Sequence, residues 1–130
     1  MSDKNFLDTE DITGSFDTND IEQNKVVAAI GYIPVLFLVP LLGASNSPFA
    51  KFHANQGLIL TITAVALGIA RSVLCAIFSI LPILRNFVPE IISTIVSIAI
   101  LAYIAIGVVN AVQGKAKKLP IIGGFLNLIN

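Results

Sequence analysis

Ser47-Pro48-Phe49-Ala50-Lys51-Phe52-His53-Ala54-Asn55-Gln56-Gly57 runs without a break into the apolar sequence that begins at Leu58. Ser47 offers a side-chain acceptor at an N-cap. Pro48 supplies a first helical residue whose missing N–H costs nothing there, so a helix is predicted to start at this point. Within it Phe49, Phe52, His53 and Gln56 fall on one side at helical spacing, with Lys51 and Asn55 on another. An amphipathic lead-in that opens into a long apolar length belongs where water and lipid meet.

Downstream, residues 58–84 form an apolar run longer than one membrane crossing needs, so tilt or an interfacial end is expected. Ala64, Gly68, Ser72 and Ala76 recur every four residues, a small-residue stripe that would let another helix approach closely. Arg71 interrupts the run, and a charge at the bilayer centre costs several kcal/mol. Two readings follow: an arginine snorkelling from near the helix end, or one facing the bundle interior or a wet cavity.

A third run follows a connection punctuated by Pro82 and Pro89, where Asn86 is a candidate cap and Glu90 lies near the positive helix end. Residues 91–112 are long enough to span, with Gly107 and Ala111 on a second small-residue face. Asn110 and Gln113 end it as candidate interhelical glue. After Lys115, Lys117 and Lys118, residues 119–130 are apolar but too short to cross as a helix, so they are expected to lie at the interface or fold back on the bundle.

Upstream, residues 26–42 are apolar and uncharged, just long enough for a thin hydrocarbon core. Pro34 predicts a kink, and a re-entrant half-helix is the alternative. Residues 1–24 are acidic and poor in aliphatic side chains, and they read as a disordered tail. That tail is not a positively charged secretory leader.

The composition agrees with a membrane assignment. Of 130 residues 55% are hydrophobic and only 12% charged, about half the usual charged share. Seven of the eight acids (Asp3, Asp8, Glu10, Asp11, Asp17, Asp20 and Glu22) precede residue 23, and Glu90 is the eighth. No basic patch suggests nucleic acid. Cys75 is the single cysteine and sits in an apolar run, as a buried hydrophobe would. One histidine, one cysteine and one acid outside the tail make no ligand set, so no metal or other cofactor is expected. His53 has no acid placed to orient it, and no catalytic residues are assigned.

The fold expected is therefore all-α: a membrane bundle of three transmembrane helices at about 26–42, 48–81 and 88–113 within a domain spanning 25–118. It has an amphipathic lead-in to the second helix and an interfacial segment at 119–130. Three spans put the acidic tail on one side and the C-terminus on the other. The lysines at 51, 115, 117 and 118 then place the C-terminus in the cytoplasm and the tail outside the cell membrane.

The chain resembles a family of small bacterial and archaeal membrane proteins of unknown function, related to the channel-like import component of the chloroplast inner envelope. The residues that carry the likeness are Gly31-Tyr32-Ile33-Pro34, Phe52-His53-Ala54-Asn55-Gln56-Gly57, Leu81-Pro82-Ile83-Leu84, Asn110-Ala111-Val112-Gln113-Gly114-Lys115 and Leu119-Pro120-Ile121-Ile122-Gly123. The resemblance implies a helical integral membrane protein and supplies no activity.

Two functional readings remain. In the first, the protein is a non-enzymatic accessory of a membrane assembly. The stripes on the second and third helices then pack with each other and with a second copy or another membrane protein, the polar residues act as interhelical glue, and the bilayer is the other partner. In the second, oligomers form a transport or translocation path lined by His53, Asn55, Gln56, Arg71 and Asn110. His53 is either an interfacial polar residue or part of that entrance.

Overall fold

Glycine and proline decide where the apolar sequence can remain helical. The computed structural model describes residues 9–124. After a short 3-10 turn at Thr13–Ser15 come α1 (Thr18–Ile30), α2 (Leu38–Gly43), α3 (Pro48–Phe78) and α4 (Pro82–Val112). The fold is all-helical. Among the described residues two helices, not three, are long and apolar enough to cross a membrane: α3 and α4, of 31 residues each.

The expected first span at 26–42 is not one helix. α1 begins inside the acidic segment at Thr18, with the Asp17 side chain accepting from the Asn19 N–H, and ends at Gly31. Pro34 lacks the N–H that would continue it, and residues 31–37 run as turns before α2. The chain reaches as deep as Thr61, whose hydroxyl accepts from the Val35 N–H at 3.0 Å, and returns to Ser47. α1 and α2, on either side of these turns, stand where one helix was expected. Val35 sits at φ 75°, a costly position for a β-branched residue, and its side chain is exposed. Val35→Gly is therefore expected to raise stability by about 1 kcal/mol, read as an upward shift of the thermal midpoint in detergent.

α3 starts at Pro48 with Ser47 accepting from the Ala50 N–H, as the sequence predicts. It runs through Gly57 because that glycine is where the crossing is tightest. A Cβ there would overlap the Gly31 carbonyl oxygen and lie 3.1 Å from the Phe37 Cβ. α4 starts earlier than expected, at Pro82, so Pro89 lies inside the helix instead of in its first turn and Asn86 caps nothing. Its C-terminus is a Schellman motif. Gly114 has φ +75°, its N–H donates to the Ala111 carbonyl, and the Lys115 N–H donates to the Asn110 carbonyl at 2.8 Å.

α3 and α4 form a hairpin with Ser79, Ile80 and Leu81 at the tip. At the other end α1, the first turns of α3, the end of α4 and residues 116–122 enclose the core of Tyr32, Phe49, Ile59, Leu60, Ala111 and Leu119. We call this end the head. Beyond it the apolar hairpin is bare. Only 11% of the most apolar window of α3 and 6% of that of α4 is buried. A core helix of a water-soluble protein would be covered there.

The segments expected on opposite sides of the membrane meet in the head. Ile12 N–H donates to the Ala116 carbonyl at 3.0 Å, Lys118 N–H to the Glu10 carbonyl at 3.2 Å, and Lys118 Nζ pairs with Glu10 at 2.8 Å. Because residues 26–42 turn back instead of running as one helix, both segments lie at the same end of the hairpin. Residues 9–24 are accordingly not an independent tail; residues 1–8 and 125–130 of the expected tail and interfacial segment lie outside the described residues.

The Thr13 hydroxyl and N–H both donate to the Asp11 carboxylate and hold it below its usual 3.8. A carboxyl lowered in the folded state contributes stability above its unfolded pKa and loses it as pH falls through the folded value. The clasp between residues 9–13 and 116–118 should thus be intact at about pH 5 and open progressively below about pH 4. Limited proteolysis of residues 9–16 against pH reads this opening.

Candidate functional site

The sequence-selected polar residues of α3 are buried in the head. His53 has no exposed surface, and Gln56 and Asn55 are nearly as enclosed. Helical spacing puts His53 and Gln56 on the face that meets α4 and the chain after it. Phe49 and Phe52 stack edge-on against the imidazole at 4.7 and 5.1 Å between centroids.

His53 Nε2 lies 2.9 Å from the Lys115 carbonyl, which can only accept, so Nε2 carries the proton and donates. Nδ1 is then the acceptor for the Tyr32 hydroxyl. Both ring nitrogens are occupied in one neutral tautomer. Tyr32 is itself fully buried, its ring lying against Gly107, where any side chain would overlap it. His53 therefore links the end of α1 to the start of the segment after α4.

Gln56 fixes the rest of that segment. Its Oε1 accepts from the Leu119 N–H at 2.8 Å and its Nε2 donates to the Gly123 carbonyl at 2.9 Å. One side-chain amide thus satisfies two backbone groups that the fold has removed from water. The Tyr103 hydroxyl adds a third tie, donating to the Pro120 carbonyl at 2.8 Å. Leu119 and Ile122 are buried where these bonds hold the segment against the helices.

Asp20 is the residue that sequence reasoning missed. It accepts from the Ser47 hydroxyl, from the Phe49 N–H at 3.0 Å and from the Asn24 amide at 2.9 Å. A carboxylate placed at the positive end of α3 is favourable by charge as well as by hydrogen bonding. Removing it strands the Phe49 N–H, so Asp20→Ala should cost about 2 kcal/mol in denaturant unfolding. The only sequence hint is an acid beside an aliphatic residue, Ile21, which is buried.

The other candidates lie apart. Arg71 is in the bare hairpin, turned toward α4, where its Nε donates to the Ser93 hydroxyl. Ala64 is half-buried, but Gly68, Ser72 and Ala76 are exposed and a Cβ at Gly68 meets nothing within 4 Å, so this stripe does not pack on that of α4 as expected. Gly107 and Ala111 pack in the head. Asn110 is half-buried beside Lys117 and Lys118, and Gln113 is exposed at the end of α4. Among the described residues no group of three or more His, Cys, Asp or Glu could hold a metal ion.

What the site can do chemically is hold the chain together. Its polar groups face one another, and they bind the head across the base of the hairpin. The sequence profile of a magnetosome magnetite crystal formation protein family matches residues 23–126, which covers the hairpin and most of the head. Magnetosome protein MmsF of Paramagnetospirillum magneticum is 34% identical over 101 residues, 77% of this chain and 82% of the relative. Magnetosome protein MamF of the same organism is 27% identical over 108 residues, 82% of this chain and 86% of the relative. No solved structure matches the chain. The chain belongs to the magnetosome magnetite crystal formation protein family.

Proposed function

We propose that the protein is a non-enzymatic accessory of a membrane assembly, with the α3–α4 hairpin inserted in the bilayer and the head held at its surface. The observation that carries this is the contrast within single helices. At the start of α3 Ser47, His53 and Gln56 are buried and hydrogen-bonded, while the remainder exposes Val65, Ile69, Val73 and Ile77. Kinship with magnetosome proteins of a magnetite crystal formation family supports a place in the membrane around a growing mineral, in a complex with a second copy or another membrane protein. Lys25, Lys51, Lys115, Lys117 and Lys118 lie on the head side and Arg85 near the tip, which favours a cytoplasmic head and C-terminal segment. A channel role, which the likeness to the chloroplast component would carry over, has no observation in its favour.

The test is expression of a tagged chain in a magnetosome-forming bacterium. It should resist alkaline carbonate extraction, travel with the magnetosome membrane fraction and restore crystal growth in a strain lacking its relatives. Recovery in the soluble fraction, or in other membranes alone with no effect on crystals, overturns the reading.

A further inference from the structure

We propose that the head carries a binding site for the headgroup of an anionic phospholipid, on the α4 side where the hairpin leaves it; the inference rests on the membrane-inserted reading. A cavity of about 290 Å³ lies there. Ala105, Ile106 and Val109 form its apolar wall, and Asn110, Lys117 and Lys118 bring polar groups to it. Val109 is half exposed and Leu101, two turns down the same helix, more so, which makes the wall continuous with the bare face of the hairpin. The volume suits a phosphodiester and the first carbons of its chains, with the tails running on along α4.

The charge at the rim selects the sign of the occupant. Lys118 is engaged by Glu10 at 2.8 Å, but Lys117 has no ion pair within 4 Å among the described residues. Asp11, its neighbour across the backbone bridge, takes its hydrogen bonds from Thr13 and feels the Lys117 ammonium only through a weaker coulombic attraction. An ammonium without a close ion pair beside an apolar wall matches, on the membrane-inserted reading, a lipid phosphate. A soluble anion would have no use for the wall.

The experiment is native mass spectrometry of the detergent-solubilised full chain with phosphatidylglycerol or phosphatidylcholine of the same chain length. Wild type should retain phosphatidylglycerol in preference. Lys117→Gln should reduce that retention about fivefold. Val109→Trp, which fills the wall, should reduce it at least as much, with Ala105→Leu as the second filling variant if the tryptophan does not fold. Lys51→Gln removes the same charge elsewhere on the head and should change nothing. Equal retention of the two lipids, equal losses in Lys117→Gln and Lys51→Gln, or displacement by excess inorganic phosphate overturns the proposal. A wild-type chain soluble without detergent would instead sink the membrane reading beneath it.

Discussion

Gly57→Ala should lower the stability of the head by at least about 3 kcal/mol, the upper range for inserting one methyl into a packed interior. The atom it meets is the Gly31 carbonyl oxygen, and that backbone cannot swing aside as a side-chain tip would. Gly31 is in turn pressed by Pro40, whose Cγ lies 2.8 Å from the Cβ position of residue 31. Relief at Gly57 therefore requires moving α1, the turns at 31–37 and α2 together. The matched control is Gly68→Ala on the same helix, where the new methyl meets nothing within 4 Å. There only helix propensity acts, and the change should be neutral or stabilising by up to about 1 kcal/mol. Thermal melts by circular dichroism in one detergent compare the two; equal midpoints would refute the crossing as described.

Gln56→Met should release the segment after α4. The substitution keeps most of the volume but strands the Leu119 N–H and the Gly123 carbonyl, each costing about 1 to 3 kcal/mol if it stays buried. The loss expected is about 3 kcal/mol, taken locally: residues 119–123 leave Gln56 and regain water. Hydrogen exchange at Leu119 and Gly123 should accelerate far more than exchange in the middle of α4. Gln113→Met, at an exposed position, should leave both unchanged. If exchange at Leu119 holds at its wild-type rate in Gln56→Met, the amide clamp is not what holds the segment.

The start of α3 was legible because its signals are local: Ser47 and Pro48 cap and begin the helix regardless of what packs on it. The site residues His53 and Gln56 were legible as polar residues needing partners, but the partners were not, since they lie 62 and 67 residues away in sequence. Asp20 was hidden for the same reason. Its acceptor role depends on Phe49, 29 residues on, while its own surroundings have the composition of a disordered tail. Residues 26–42 failed differently. Hydropathy and length fit a span, yet Gly31, Pro34 and Pro40 fold that length back on itself, and the two prolines were available as a warning. Pro89 misled in the opposite direction, because a proline can sit within a long helix at the cost of a backbone bond. It shifted the expected start of α4 by about two turns.

The ties from His53 to Lys115 and from Gln56 to Gly123 also set a timetable. During synthesis at about 5 to 20 residues per second, His53 waits at least about 3 to 12 seconds for the partner that closes its ring. Both long apolar helices precede Lys115 in the chain, so they are made before the head can close. Any factor that meets the emerging apolar helices would therefore find His53 and Gln56 without their partners, and the head would lock only once the hairpin is complete.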